Sequence, residues 1–193
     1  MSWQCAVVVL IAKSSNLELP SEFRPIALLN AEGRLFFTLM QWRLSEFMTS
    51  NNYIKIRIQK GFMRDVAGCI EHSETMYQML LDAKQSGRDI CVSWIDLANA
   101  YGSVKHSLFQ FVMEWYHVPD TFCELIFNYY EGLMAAVMVK QAMTAWFRFG
   151  IGVFQGCTIS TILFNTAFNP CFEHLELLAD DCGYAFERAP VKV

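Results

Sequence analysis

The longest stretch without a charged side chain, residues 149–172, limits most strongly what this chain can fold into. Its 24 residues are enough to span a bilayer as a helix. They also include seven Gln, Thr, Ser or Asn side chains, three glycines and a proline, a polar content that argues against a lipid-facing helix. We therefore predict no membrane span. Instead we expect a buried segment, with a glycine-rich turn at 150–157 and a long helix over about 160–178 that Pro170 can kink.

The composition predicts a folded domain whose charge is unevenly distributed. Of the 193 residues, 54% are hydrophobic and 18% are charged, so the chain is not disordered. The net charge of −4 argues against a uniformly basic nucleic-acid binder. Residues 1–64, however, carry eight Lys or Arg and four Asp or Glu, whereas the rest carries a net −8. Two interpretations stay open: a first third that faces phosphates, or ordinary variation of surface charge.

The cysteines and the first residues predict an intracellular protein. Seven cysteines occur singly, without a C-x-x-C pair, so a zinc site is not expected and the thiols should be reduced. No basic residue precedes the first apolar run, so we expect no signal peptide and a cytoplasmic or nuclear location.

The apolar spacing predicts an α+β fold. Two strands, at 7–12 and 23–29, are expected to form a hairpin. A further strand is expected at 90–95, and a second hairpin joins 135–140 to 145–149. Apolar residues at helical spacing predict four further helices, over about 33–47, 69–85, 103–115 and 119–131.

Asp96 is the first candidate functional residue, because it ends the predicted strand at 90–95. A strand fixes a carboxylate in space, and a carboxylate oxygen is a ligand that divalent cations prefer. An Asp in this position is also common as a turn or helix-capping residue. Residues elsewhere in the chain must therefore decide between the two interpretations.

Three separated stretches carry residues that suit a nucleoside triphosphate. They are Lys13 and Arg24 on the hairpin, Asp96 with Tyr101 beyond its strand, and Gln155 with Gly156 in the glycine turn. Cations and a metal-binding acid disperse phosphate charge, and a glycine turn lets the backbone approach a substrate closely. Neither a P-loop nor a dinucleotide fingerprint occurs.

The same stretches resemble, in order, motifs of the reverse transcriptase domain of non-LTR retrotransposons, which is related to group II intron reverse transcriptases. The similar segments are 10–13 (LIAK) with 23–30 (FRPIALLN), 59–62 (QKGF), 95–106 (IDLANAYGSVKH) and 152–165 (GVFQGCTISTILFN). The resemblance covers about residues 7–170. It implies a partial right-hand polymerase, with fingers plus part of the palm and antiparallel palm strands packed on helices. Residues 1–193 would be one partial domain, mainly fingers to about residue 88 and mainly palm, with finger elements, from about residue 89.

The resemblance also implies an RNA-directed DNA polymerase that uses an RNA template, a DNA primer, dNTP and two Mg²⁺ ions. The implied roles are as follows: Asp96 and the Leu97 carbonyl as metal ligands, Tyr101 against the sugar to exclude a 2′-hydroxyl, Lys13 and Arg24 on the triphosphate, and Gln155 and Gly156 lining the nucleotide pocket. In such enzymes the metal pair holds the attacking and the leaving oxygen.

One required motif, an aromatic-x-Asp-Asp, has no convincing match. Residues 178–181 (LADD) have Leu in place of the aromatic, and Asp180 comes only 25 residues after Gln155, at the expected end of a helix. We expect Asp180 and Asp181 to be a solvated helix end and the true motif to lie beyond Val193. The chain alone would then be inactive.

Smaller departures leave alternatives open. Gly102, Phe154 and Thr161 stand where the family usually has Asp, Arg and Pro, a pattern that fits a partial or decayed retroelement copy. The alternatives are a non-catalytic RNA-binding module derived from this fold, or an unrelated globular protein with coincidental motifs.

Overall fold

A mixed β-sheet and the helices packed beside it form the chain in the computed structural model, which describes residues 3–13, 15 and 19–186. The strands are β1 (Cys5–Ala12), β2 (Phe23–Leu28), β3 (Met134–Val139), β4 (Ala142–Met143) and β5 (Phe147–Arg148). The helices are α1 (Ala31–Ser50), α2 (Ile70–Ser86), α3 (Ala100–Ser103), α4 (His106–Trp115), α5 (Asp120–Glu131), α6 (Thr158–Leu177) and α7 (Ala179–Cys182), with a 3₁₀ turn at Pro20–Glu22. The predicted α+β class is therefore confirmed.

The sheet runs in the order β2-β1-β3-β4, and β5 also pairs with β3. β1 and β2 are antiparallel, as are β3 and β5, so both predicted hairpins are confirmed. Strands β1 and β3 run parallel, with Val7 opposite Ala136, so the sheet is mixed. A parallel pair needs a long crossover, which the helices α1 to α5 between β2 and β3 provide.

Helix α6 lies at the centre of the helical layer, packed against α1 and α4. Its first three turns are buried on nearly every side, and Ile159, Ile162 and Leu163 have no exposed surface. A helix that is buried around most of its circumference belongs in a core. The predicted burial is confirmed for residues 157–170, whereas Gly150, Ile151, Gly156 and Cys171 of the predicted segment 149–172 are exposed. None of the helices in the described residues is both long and apolar enough to cross a membrane.

Helix α4 starts later than predicted, and its apolar residues are only partly buried. It begins at His106 rather than near Ser103, which instead ends the short helix α3. Phe111 and Trp115, which belong to the apolar repeat that predicted this helix, are 61% and 63% exposed, whereas Phe109, Val112 and Met113 are buried. Apolar residues on two faces of one helix leave its rotation undetermined until the packing partners are known.

The predicted strand at 90–95 is the largest correction. This segment has no regular secondary structure and pairs with no strand of the described residues, and Trp94 and Ile95 are 76% and 78% exposed. Strand-forming side chains favour extended backbone, but a strand also needs a neighbour to pair with.

The short helix α7 follows α6 and contains the Asp-Asp pair of the chain. Asp181 is exposed, in agreement with a solvated helix end, while the side chain of Asp180 lies outside the described residues.

Candidate active site

The glycine turn at 150–157 is hydrogen bonded to the backbone around Tyr101. The Gly152 amide donates to the Val104 carbonyl, and the Val153 amide donates to the Tyr101 carbonyl, each at 2.8 Å. Gly152 has φ +89°, and a Cβ there would lie 2.9 Å from the Tyr101 carbonyl oxygen. The imidazole of His106 adds a contact of 2.9 Å to the Gly152 carbonyl. This part of the turn is therefore shaped by its close approach to Tyr101.

The other end of the same turn is joined to strand β2. The Ala27 amide donates to the Gln155 carbonyl at 2.7 Å. Gly156 has φ +106°, and a Cβ there would lie 2.5 Å from the Ala27 carbonyl oxygen. Because no side chain fits in this space, glycine permits the turn to close onto the hairpin. The turn thus connects two of the predicted site stretches, the hairpin and the region of Tyr101.

Tyr101 lies in an aromatic cluster in which its hydroxyl group has no hydrogen-bond partner among the described residues. Its ring centroid is 5.1 Å from that of Phe164 and 6.5 Å from that of Phe62. Its hydroxyl is buried and has no hydrogen-bond partner among the described residues, as is also true of the side-chain oxygen of Gln155. Burial raises the pKa of Tyr101 to about 12. Buried polar atoms without partners are rare, so these two are places where a ligand or water can bind.

Asp96 and Leu97 lie in the exposed, irregular stretch that precedes α3. No ion pair to Asp96 occurs within the described residues, so its carboxylate is open to solvent. No group of three or more His, Cys, Asp or Glu side chains suited to a metal ion occurs among those residues either. Asp96 is therefore available as a ligand, but no multi-carboxylate centre surrounds it there.

Lys13 and Arg24 lie near each other at the loop end of the β1–β2 hairpin, where β1 leads into β2. Arg24 is opposite Ile11, and the Lys13 ammonium donates to the Ser21 carbonyl at 2.7 Å. Strand alternation puts Lys13 and Arg24 on one face and the buried Ala27 on the other. The two cations therefore lie on the face opposite the core, while the glycine turn meets this hairpin through backbone atoms.

The basic stretch at 55–60 is largely neutralised by acidic side chains. Lys55 and Arg57 both pair with Glu176, the former at 2.5 Å. Lys60 is only 8% exposed and pairs with Glu71. Hydrogen bonds from Lys60 and from Lys55 lower the pKa values of Glu71 and Glu176, respectively. Much of the positive charge of the first third is thus balanced within the protein.

A side-chain pair that the sequence did not reveal joins two of its motifs. The Gln59 amide donates to the Asn165 side-chain oxygen at 2.8 Å, and the Asn165 amide donates to the Gly61 carbonyl at 2.9 Å. The Gly61 amide donates back to Gln59 at 3.2 Å. We call this arrangement the Gln59–Asn165 latch. Each residue belongs to a recognised motif, but nothing in the sequence indicates that residues 106 positions apart are partners.

Sequence comparison defines the class of protein that carries this site. Residues 11–186 match the family described as reverse transcriptase (RNA-dependent DNA polymerase), and the chain belongs to that family. The match covers the hairpin end, the Tyr101 region and the glycine turn.

Individual relatives come from retrotransposons. The chain is 25% identical over 164 residues to the Retrovirus-related Pol polyprotein from type-2 retrotransposable element R2DM of Drosophila melanogaster, covering 85% of this chain and 15% of that protein. It is 22% identical over 170 residues to the Transposon TX1 uncharacterized 149 kDa protein of Xenopus laevis, covering 88% and 13%. It is 26% identical over 164 residues to the Probable RNA-directed DNA polymerase from transposon X-element of D. melanogaster, covering 84% and 18%. The predicted resemblance to the non-LTR type is confirmed, and the chain spans less than a fifth of the length of these relatives.

Reverse transcriptases generally use Mg²⁺, and the described residues fit this ion only in part. Mg²⁺ is usually held by one or two carboxylates together with water and substrate phosphates. The solvent-open carboxylate of Asp96 suits one such position. No group of three or more potential His, Cys, Asp or Glu ligands includes it in the described part of the chain.

Proposed function

We propose that this chain is part of an RNA-directed DNA polymerase, which joins a dNTP to a primer 3′-hydroxyl on an RNA template. The observation that carries the proposal is the double attachment of the glycine turn. The turn is hydrogen bonded at one end to Tyr101 and at the other to Ala27 of the hairpin. Three motifs that are far apart in sequence therefore meet at one place, as a nucleotide pocket requires.

In this proposal, Tyr101, Gln155 and Gly156 form the wall of the nucleotide pocket. Phe164 supports the Tyr101 ring from one side, so the ring is a fixed obstacle to a ribose 2′-hydroxyl. The unpartnered side-chain oxygen of Gln155 is an acceptor that a bound nucleotide can satisfy.

Lys13 and Arg24 would bind the triphosphate. Their location on one face of an exposed hairpin supports this role, since both cations are free of carboxylate ion pairs within the described residues. A triphosphate reaching them must pass along the outer face of the hairpin, because the opposite face carries buried Val8 and Ala27.

Asp96 and the carbonyl of Leu97 would hold Mg²⁺, which stabilises the charge of the transferring phosphate when bound. The exposure of this segment leaves room for substrate beside the carboxylate. Asp180 and Asp181 are the only consecutive aspartates in the sequence, and they lie in α7 at the end of α6. Leu178 stands where an aromatic-x-Asp-Asp motif needs its aromatic residue. Because this motif would supply the second set of metal-binding carboxylates, we propose that the 193 residues do not polymerise by themselves.

The experiment is primer extension on an RNA template in the presence of Mg²⁺. It compares the 193-residue chain with a polypeptide in which the same residues are followed by an aromatic-x-Asp-Asp segment. Only the longer polypeptide should extend the primer, and Asp96→Ala should abolish its activity. Asp89→Ala, an exposed neighbour in the same segment, is the matched control, and Asp180→Asn with Asp181→Asn should also remain active. Extension by the Asp96→Ala variant would overturn the proposal.

A further inference from the structure

Phe62 is an exposed aromatic residue in a conformation that core packing does not explain. Its side chain is 64% exposed, although Lys60 and Met63 beside it are 8% and 7% exposed. Its φ of +57° is in the left-handed region, which is unfavourable for a bulky residue other than glycine. Strained backbone of this kind persists only where the surroundings impose it, and it is concentrated at functional sites.

The Gln59–Asn165 latch imposes the direction of the Phe62 ring. Asn165 is 2% exposed and holds the carbonyl of Gly61, the residue directly before Phe62. Gln59 binds both the amide of Gly61 and the side chain of Asn165. The short segment at 59–61 is thus fixed to the buried helix α6 from both sides. The ring that follows it projects from a rigid support rather than from a loose loop.

The supported ring lies beside the candidate nucleotide pocket. The Phe62 and Tyr101 ring centroids are 6.5 Å apart with their planes inclined at 44°. The Tyr101 hydroxyl is buried and unpartnered within the described residues. The exposed face of Phe62 next to the unpartnered Tyr101 hydroxyl suits a flat ligand that also carries hydrogen-bonding groups. A nucleobase has both properties, and stacking on aromatic side chains is a common means of holding unpaired bases.

We propose that Phe62 stacks on an unpaired nucleobase at Tyr101, and that Gln59 and Asn165 are the positioning residues for this contact. The inference rests on the proposed function, because it requires a nucleic acid or nucleotide at Tyr101. The base can belong to the template strand or to the incoming nucleotide, and these two sources share the same stacking chemistry.

The test measures binding by the full 193-residue chain with two probes: fluorescein-labelled single-stranded oligouridylate and labelled dNTP. Phe62→Ala should weaken binding of the probe that supplies the base by about 5- to 150-fold. Phe62→Tyr should restore most of this loss, whereas Phe62→Leu should not, because leucine retains apolar bulk without an aromatic face. The probe that is affected identifies the source of the base.

Two controls separate stacking from a general loss of structure. Phe111→Ala removes a ring of similar exposure, 61%, on the exposed face of α4 and should leave binding unchanged. An abasic strand of the same length should bind equally to the wild type and to Phe62→Ala. Asn165→Asp, which removes the donor to Gly61, should weaken binding of the base-containing probe but not of the abasic strand.

The outcomes distinguish this inference from the function on which it rests. If the wild type binds a probe and Phe62→Ala binds that probe no more weakly than Phe111→Ala does, the stacking role is overturned but the nucleotide site is not. An equal loss on the abasic strand also overturns it, since the effect would then be structural. If the wild type binds neither probe, both the stacking role and the proposed nucleotide site are wrong.

Discussion

Replacing Gly156 by alanine tests the junction between the glycine turn and the hairpin. The new methyl group would lie 2.5 Å from the carbonyl oxygen of Ala27, which is backbone and cannot rotate away. The backbone at Gly156 has φ +106°, a conformation that L-residues rarely adopt. The variant must therefore both strain this residue and move the turn away from β2.

The expected loss of stability follows from this backbone conformation and from the contact with Ala27. Left-handed backbone costs a non-glycine residue about 1–2 kcal/mol. Moving the turn breaks the hydrogen bond from the Ala27 amide to the Gln155 carbonyl, which contributes about 0.5–1.5 kcal/mol. Adding the steric displacement, we expect Gly156→Ala to lower the free energy of unfolding by about 2–4 kcal/mol.

Urea unfolding followed by tryptophan fluorescence measures this change as a lower midpoint at an unchanged slope. Gly150→Ala is the matched control, because its added methyl group meets no atom within 4 Å, and its change should stay within about 0.5 kcal/mol. If the two variants were equally stable, the turn would not be packed on Ala27 and the described pocket would be wrong.

Two further predictions follow from charges and ionisation. Glu176→Gln should release Lys55 and Arg57 and strengthen binding of single-stranded RNA, with the salt dependence of log Kd steeper by about 0.7 for each cation that reaches a phosphate. Glu131→Gln, on the exposed end of α5, is the control, and an unchanged salt dependence in Glu176→Gln would contradict the release. Tyr101 keeps its proton in the folded state up to a pKa of about 12, whereas its ordinary pKa is 10.0. The free energy of unfolding should therefore fall as pH rises from 10 to about 12. The fall should be shallower in Tyr101→Phe, and urea unfolding over this pH range that showed equal slopes would refute the assignment.

The parts of the fold that could be predicted are those encoded locally. The hairpin of β1 and β2, the helices α1, α2, α5 and α6, and the glycine turn were each visible from spacing or from turn residues. The glycine turn was predicted to let the backbone approach a substrate closely, and the structure has close approaches of Gly152 and Gly156 to other backbone segments of the chain.

The errors concern features that depend on a distant partner. Residues 90–95 have the side chains of a strand, but pairing depends on a neighbour that the segment does not specify. Helix α4 has apolar residues on two faces, and only its packing against α5 and α6 determines which face is buried. The Gln59–Asn165 latch and the pairing of Lys55 with Glu176 join residues more than 100 positions apart. The sequence contained these residues but not their pairing.

The most direct test of the nucleotide pocket is the sugar selectivity of Tyr101→Ala. The measurement is the ratio of dNTP to rNTP incorporation on an RNA template, made with the polypeptide that carries the aromatic-x-Asp-Asp segment. Tyr77→Ala, an exposed tyrosine on α2, is the control and should leave the ratio unchanged. If the Tyr101 ring is the obstacle to the 2′-hydroxyl, its removal should lower the ratio by about 10- to 200-fold. An unchanged ratio in an active Tyr101→Ala enzyme would show that the hairpin, the glycine turn and Tyr101 do not form the nucleotide site.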